Sequence, residues 1–135
     1  MLIKLSPAHN PHAAATLAQN LDQMGFFPYT YAVFGAMADK DVSGILSHLK
    51  DKIDHWYFCD LPLPRAASAE SLASVLSATG FVAGTDGGGE RSIQCFRTPA
   101  EAYASARDSV GENDRIIVFG SFLTVAGVMA ARQAH

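Results

Sequence analysis

Short apolar segments alternate with longer segments of helical periodicity along the whole chain. The apolar segments are Leu2 to Leu5, Tyr31 to Phe34, Trp56 to Cys59, Ile93 to Phe96 and Ile116 to Phe119. The segments of helical periodicity are Pro11 to Met24, Asp41 to Lys52, Ala69 to Thr79, Pro99 to Ser109 and Phe122 to Arg132. Such alternation is typical of a parallel sheet whose right-handed crossovers cover both faces. The pattern therefore predicts an α/β fold: a single domain with a Rossmann-like open, mostly parallel sheet and helices on both faces.

Capping residues support these helix bounds. Asn10, Ser68 and Thr98 can each accept a hydrogen bond from the first turn of a helix. Gly25 and Gly80 can adopt the left-handed conformation that ends one. The glycine-rich stretch 84–90 shows neither pattern, and we expect it to be a flexible connection.

Composition narrows the classes of function. The 135 residues are 49% apolar, which suffices for one continuous core, and no apolar run approaches the roughly 20 residues of a membrane span. The net charge of −3 and the scattered basic residues argue against a nucleic-acid partner. Cys59 and Cys95 are far apart and lack ligand spacing, so we expect two buried, reduced thiols. The first residues lack a secretory signal, and we expect a cytoplasmic protein.

The chemistry of an open α/β sheet is expected in the turns that follow its strands. The first turn places His9 and Asn10 before a helix that begins at Pro11, where helix amide groups and the dipole favour an anion. Alternatively, Asn10 is merely the helix cap and His9 an exposed turn residue. We expect His12, inside the helix, to face solvent.

Two later turns offer further candidates. Asp39 or Asp41 can cap the second helix, which leaves Lys40 beside a strand end where a ligand carboxylate or phosphate could bind; a solvated charged turn is the alternative. Ser121 follows Gly120 at a helix start, where its hydroxyl can cap the helix or donate to a ligand. Arg65 either reaches this cleft or lies on a rigid surface loop.

Several motifs of catalysis are missing from the sequence. Ser121 lacks the GxSxG pattern of a hydrolase nucleophile, and the histidines share no metal-ligand spacing beyond the weak pair His9 and His12. The sequence contains no GxxxxGK[ST], and no GxGxxG follows the first strand, which disfavours a nicotinamide-dependent oxidoreductase. We therefore assign no catalytic residue and no metal ligand to this chain.

The order and sequence of the turns resemble those of a known family. The matching segments are AHNPHA at residues 8–13, FGAMADKD at 34–41, WY at 56–57 leading to PRA at 64–66, and GSF at 120–122. They resemble the carboxy-terminal domain of bacterial folylpolyglutamate/dihydrofolate synthases and, more distantly, the third domain of the Mur ligases. The resemblance covers essentially the whole chain, residues 1–135.

The resemblance implies an ATP-dependent ligase that joins L-glutamate to dihydropteroate or folate through an acyl phosphate. This domain would bind glutamate and close over ATP, while a preceding domain, absent here, would bind Mg²⁺, the pterin and most of the nucleotide. By itself the chain is expected to be inactive. Carried over by the resemblance, the substrate- and nucleotide-binding residues are His9, Asn10, Lys40, Ser121, Asp39 and Ser6.

One position departs from the family pattern. The family usually has an acidic residue three positions before the histidine, where this sequence has Ser6, followed by Pro7. Ser6 carries no charge, which puts the ribose contact of ATP in doubt. Ser6 and Pro7 keep open an alternative function, that of a free-standing, non-catalytic Rossmann-like module that binds a ligand.

Overall fold

A computed structural model describes residues 1–86 and 89–134 of the chain. The strands are β1 (Leu2–Leu5), β2 (Thr30–Phe34), β3 (His55–Cys59), β4 (Gly84–Asp86), β5 (Gly89–Phe96) and β6 (Arg115–Phe119). The helices are α1 (Pro11–Gln23), α2 (Val42–Leu49), α3 (Ala69–Ala78), α4 (Pro99–Ser109) and α5 (Phe122–Gln133). Within the described part of the chain, no helix combines the length and apolar character needed to cross a membrane.

The strands form one six-stranded sheet in the order β1-β6-β2-β3-β5-β4. The first five of these strands pair in parallel, and β4 pairs antiparallel with β5. All residues of β2, β3 and β6 are buried, because helices cover both faces of the middle of the sheet. The predicted open, mostly parallel α/β sheet is confirmed.

The two faces of the sheet carry separate apolar clusters. One cluster joins α1, α2 and α3 to the face that presents Phe34, Trp56 and Phe119. The other joins α4 and α5 to the face that presents Val33 and Tyr57. Successive strand residues point to opposite faces, so each central strand contributes to both clusters. Helices therefore lie on both faces, as the pattern predicts.

The predicted helix caps are present. The side chains of Asn10, Ser68 and Thr98 accept hydrogen bonds from the backbone N–H groups three residues further on, at 2.8, 3.1 and 3.1 Å. Gly25 and Gly80 follow helix ends with φ of 94° and 102°, a conformation that glycine adopts without strain.

The prediction of a flexible connection at residues 84–90 is wrong for the part that the structure describes. Gly84–Asp86 forms β4, and its register places Gly84 opposite Arg91 and Thr85 opposite Glu90. Residues 87 and 88 lie outside the described residues. The strand escaped the pattern because an edge strand is held by backbone hydrogen bonds and needs no apolar alternation.

The expectation of two buried thiols is half wrong. Cys59 is buried, and burial raises the pKa of its thiol to about 12. Cys95 is exposed. It lies near the carboxyl end of β5, the last parallel strand, which has only the three-residue β4 beside it, so this end of the sheet has less cover than the centre.

Candidate functional site

The carboxyl ends of β1, β6 and β2 are neighbours in the sheet, so the turns that follow them meet. Between these turns and α5 lies an open cleft of about 560 Å³. Its lining residues are Leu5, Ser6, Pro7, His9, Met37, Lys40, Gly120, Ser121, Phe122, Val125 and Met129. The carboxyl edge of a doubly wound sheet is where ligands of such folds bind, which makes this cleft the candidate site.

Close backbone contacts fix the floor of the cleft. Gly120 donates its N–H to the carbonyl of Ala8 at 2.9 Å and has a φ of 108°. A side chain at Gly120 would collide with the carbonyl oxygen of Gly35, which accepts a 2.9 Å hydrogen bond from the Thr124 hydroxyl. The turns after all three strands are therefore held against one another and against α5.

Four side chains of the cleft lining are polar, and we use the name polar end for these four residues: Ser6, His9, Lys40 and Ser121. The Ser6 and Ser121 hydroxyl oxygens each accept a 3.2 Å hydrogen bond from the backbone N–H two residues further on. Each hydroxyl proton therefore remains able to donate to a ligand. His9 Nδ1 lies 2.8 Å from the carbonyl oxygen of Pro7 and must donate to it, which leaves Nε2 for a ligand.

The polar end favours an anion. Lys40 supplies a positive charge, and Ser121 is the N-cap of α5, where the helix dipole has its positive end. Among the residues that the structure describes, no acidic side chain lines the cleft. A carboxylate or phosphate at this end would meet one cation, one helix start and two hydroxyl donors.

The position of Lys40 is set by the turn on either side of it. Asp41 caps α2, because its carboxylate accepts the N–H of Gly44 at 3.0 Å. Ala38 donates to the carbonyl of Arg65 at 2.8 Å, and Met37 pairs with Ala66 in an antiparallel bridge. The turn after β2, which carries Lys40, is therefore tied to the loop after β3.

The rest of the cleft is apolar. Its lining residues, which we call the apolar wall, are Leu5, Pro7, Met37, Phe122, Val125 and Met129. Phe122 is 82% exposed and Met129 is 44% exposed, although both side chains are large and apolar. A cleft that joins an anion-binding end to an exposed apolar wall can hold an amphipathic ligand.

Comparison with known protein families identifies the family of this chain. Residues 1–122 match the family described as Mur ligase, glutamate ligase domain. The chain belongs to this family. The match includes every residue of the polar end and the first residue of α5.

Similar proteins agree with the family match. The dihydrofolate synthase/folylpolyglutamate synthase of Escherichia coli strain K12 is 37% identical over 128 residues, which are 95% of this chain and 27% of that protein. The structure of E. coli FolC with DHPP and ADP gives a TM-score of 0.81 at 34% identity, covering 95% of this chain and 28% of that one. The structure of a bifunctional folylpolyglutamate synthase/dihydrofolate synthase with Mn, AMPPNP and L-glutamate bound gives a TM-score of 0.75 at 38% identity. The match covers 94% of this chain and 28% of that one. The chain spans little more than a quarter of these relatives.

The structure brings four of the six predicted site residues together. Ser6, His9, Lys40 and Ser121 line one cleft, as listed above. Asn10 lies outside it and caps α1, and Asp39 is an exposed turn residue outside it. Arg65 is exposed and also lies outside the cleft lining, which agrees with the alternative that it belongs to a surface loop.

Sequence reasoning missed the apolar wall. Phe122, Val125 and Met129 are spaced by three and four residues, which places them on one side of α5. This spacing was visible, but Leu123 and Val128 on the other sides of α5 are also apolar, so the sequence of the helix does not mark which side is exposed. The contribution of Met37 depends on the turn after β2 and has no sequence signal.

The described residues fit only part of a nucleotide and its metal. Of the described residues, Lys40 alone brings a permanent positive charge to the cleft lining, which is too little for a triphosphate. Among the residues described, no group of three His, Cys, Asp or Glu side chains is placed to hold a metal ion. Lys40 and the start of α5 are therefore placed to contact one anionic group.

Proposed function

We propose that this domain is the carboxy-terminal part of an ATP-dependent ligase that joins L-glutamate to dihydropteroate or folate. In this proposal the polar end of the cleft binds glutamate, and the domain closes over ATP that is held mainly by another part of the enzyme. Membership in a glutamate ligase domain family supports the reaction class. The similarity to folylpolyglutamate/dihydrofolate synthases supports the substrate class.

The observation that carries the proposal is that Lys40, Ser121 and His9 line the same cleft. A glutamate carboxylate would accept from the Lys40 ammonium and from the Ser121 hydroxyl, beside the start of α5. His9 Nε2 would face the amino acid from the opposite turn. The chain's own contribution is thus to bind and orient the incoming amino acid, and effective alignment of two reactants lowers the barrier of their reaction.

Closure is the second contribution that we assign to the domain. The cleft is open on one side, so its ligand becomes shielded from water only when another surface covers it. Excluding water protects a reactive acyl phosphate from hydrolysis. Because the chain covers 27% of its E. coli relative, the covering surface and the Mg²⁺ ligands are assigned to the remaining length of such a protein.

The remaining candidate residues have smaller roles in this proposal. Ser6 would donate its hydroxyl proton to the nucleotide in place of the acidic residue usual in the family. Asn10 and Asp39 lie outside the cleft lining, so we assign them to shaping the turns that carry His9 and Lys40. Their substitution is expected to affect ligand binding less than substitution of Lys40.

Calorimetric titration of the chain with L-glutamate tests the proposal. Replacing Lys40 by Met is expected to weaken binding by about tenfold to a hundredfold, since a charge-assisted hydrogen bond contributes about 1.5–3 kcal/mol. Lys52→Met is the matched control, because Lys52 pairs with Asp22 at 2.9 Å and lies outside the cleft lining. Equal glutamate affinity in the wild type and Lys40→Met would contradict the assignment.

A second test uses a full-length ligase that contains this domain, with ADP release as the measured rate. Ser121→Ala is expected to raise the KM for glutamate, and Ser68→Ala, which removes an equivalent helix cap from α3, is the control for lost stability. Similar changes in both variants would show that Ser121 is only a cap. An ADP release rate that does not depend on glutamate would favour the alternative of a non-catalytic binding module.

A further inference from the structure

Thr124 is a fully buried polar side chain near the start of α5. It is 0% exposed, and the other residues of this helix up to Met129 are apolar or glycine. Valine has the same branched shape as threonine, so packing alone gives no reason for a hydroxyl group, and a buried hydroxyl without a partner would cost free energy. The Thr124 hydroxyl has a partner outside its own helix, because it donates to the carbonyl oxygen of Gly35 at 2.9 Å.

This hydrogen bond connects two turns that line the cleft. Gly35 directly follows β2 and lies in the turn that carries Lys40, whereas α5 begins directly after Ser121. The backbone N–H of Thr124 donates to the carbonyl of Ser121 at 3.1 Å. One residue is thus bonded to both turns, and among the described residues no other side-chain hydrogen bond joins α5 to the turn after β2.

On its other side, the turn after β2 is fixed to the loop after β3. Ala67 donates its N–H to the carbonyl of Ala36 at 2.9 Å. A methyl group on Gly35 would lie 2.9 Å from the Cys59 sulfur and 3.0 Å from the Thr124 hydroxyl oxygen, so the backbone of Gly35 packs directly against both. The turn therefore has a fixed place on the sheet, and the start of α5 is aligned against it.

The rest of α5 is anchored separately. In this helix, which the structure describes in full, the buried residues are Thr124 and Val128. Gly127 lies so close to α4 that an added methyl group would be 2.9 Å from the side chain of Pro99. Loss of the Thr124 hydroxyl is therefore expected to loosen the start of α5, where Ser121 lies, and to leave the remainder of the helix in place.

We propose that Thr124 is a positioning residue of the glutamate site, whose hydroxyl holds Ser121 and Lys40 at the spacing that one carboxylate needs. The inference rests on the proposed function, in which a glutamate carboxylate accepts from both of these side chains. Two groups on different turns bind one carboxylate most tightly when their spacing is set before the ligand arrives, because binding then pays no cost of ordering them. Thr124 does not itself line the cleft, so it acts through Ser121 and Lys40.

Two variants separate the hydroxyl group from the packing of the side chain. Thr124→Val retains the branched shape and loses the hydroxyl, whereas Thr124→Ser retains the hydroxyl and loses a methyl group. In a full-length ligase that contains this domain, with ADP release as the measured rate, Thr124→Val is expected to raise the KM for L-glutamate by at least about fivefold. Thr124→Ser is expected to keep the wild-type KM.

The KM distinguishes a positioning role from a merely structural one. A structural role would lower the folded fraction, which decreases the apparent kcat but leaves the KM of the remaining enzyme unchanged. Val128→Ala is the matched control, because it removes packing from a buried position one turn further along the same helix. We expect this control to lower the urea midpoint of unfolding and to keep the wild-type KM. Should Thr124→Val fail to fold, Thr124→Ala and Thr124→Ser give the same comparison, since these side chains differ only by the hydroxyl.

The outcomes separate this inference from the proposed function when Lys40→Met is measured in the same assay. If Lys40→Met raises the KM for glutamate and Thr124→Val does not, the inference is wrong and the proposed function stands. An equal rise in Thr124→Val and Thr124→Ser, or in Thr124→Val and Val128→Ala, would show that packing rather than the hydroxyl matters and would also overturn the inference. If neither Lys40→Met nor Thr124→Val changes the KM, the glutamate site of the proposed function fails as well.

Discussion

The two edges of the sheet use polar side chains in different ways. At the amino edge, where the strands begin, buried polar side chains are hydrogen-bonded to distant parts of the chain. Asp114 accepts the N–H groups of Tyr29 and Gly111 at 3.1 and 2.8 Å. Arg115 donates to the Thr30 hydroxyl at 2.7 Å and to the carbonyl of Leu21 at 3.0 Å. These bonds join separate loops and stabilise the fold.

At the carboxyl edge, the polar side chains that line the cleft and form hydrogen bonds do so only with their immediate neighbourhood. Ser6, His9 and Ser121 each use one atom on a backbone group two residues away, and a second atom of each remains for a ligand. Lys40 forms no salt bridge within the described residues. The comparison teaches that the polar side chains Asp114 and Arg115 of the amino edge stabilise the fold, whereas Ser6, His9 and Ser121 at the carboxyl edge keep hydrogen-bonding capacity that the fold does not use.

Substituting Gly120 is expected to have the largest effect, because this glycine holds the turns of the carboxyl edge together. In Gly120→Ala the new methyl group would lie 2.7 Å from a ring carbon of Phe34 and collide with the carbonyl of Gly35, at a φ of 108°. We expect a loss of about 3 kcal/mol or more in the free energy of unfolding, measured by urea denaturation.

Gly25→Ala is the control for Gly120→Ala. Its φ is 94°, but nothing lies within 4 Å of the added methyl group. Its cost is therefore that of the backbone conformation alone, about 1–2 kcal/mol. Equal losses in the two variants would show that the close packing of the three turns does not stabilise the fold.

At the amino edge, Asp114→Ala tests whether stability and binding are separate. The change leaves the N–H groups of Tyr29 and Gly111 without their acceptor, so we expect a loss of about 2–3 kcal/mol in the free energy of unfolding. The affinity for L-glutamate should stay unchanged under conditions where the variant is folded. Asn113→Ala, at an exposed neighbouring position, should change stability by less than about 0.5 kcal/mol. Loss of glutamate binding in folded Asp114→Ala would break the comparison.

A smaller effect, a change of the free energy of unfolding with pH, is also expected from the amino edge. Burial lowers the pKa of His55, although the carboxylates of Glu90, Asp54 and Asp114 partly oppose this shift. The unfolded chain therefore binds a proton more readily than the folded one. Neutral His55 therefore contributes to the free energy of unfolding. This contribution is complete above the pKa of about 6.5 that the side chain has in the unfolded chain, and it is lost as the pH falls towards the pKa of the folded state.

Urea denaturation between pH 7.5 and about pH 5.5 measures this effect. One such group can add at most about 1.4 kcal/mol per pH unit to the slope of the free energy of unfolding against pH. His55→Gln should flatten the profile, because glutamine does not titrate in this range. A wild-type profile as flat as that of His55→Gln would contradict the prediction.

The sequence predicted the parts of the fold that depend on local patterns. Strands such as β2 and β6 are buried on both faces and appear as continuous apolar runs, and Asn10 and Thr98 are capping residues at the positions where caps are needed. By contrast, the formation of β4 depends on its pairing with β5, and the exposure of Cys95 depends on its place near the edge of the sheet. Neither leaves a local pattern in the sequence.

The candidate site was predictable to the extent that it follows topology. Turns after neighbouring parallel strands must meet, so Ser6, His9 and Ser121 could be expected in one place. Whether Asn10 bonds to its helix or to a ligand depends on the direction of one side chain, which the sequence does not fix. The exposed side of α5 depends in turn on how that helix packs against α4 and the sheet.

Mapping L-glutamate onto the backbone tests the central claim most directly. In ¹H–¹⁵N correlation spectra of the chain, saturating glutamate should shift the amide signals of His9, Lys40 and Ser121 at the carboxyl edge. The amide signals of Tyr29 and Asp114 at the amino edge should not move. Shifts confined to the amino edge, or spectra that do not change at any glutamate concentration, would contradict the claim that the carboxyl edge is the binding edge.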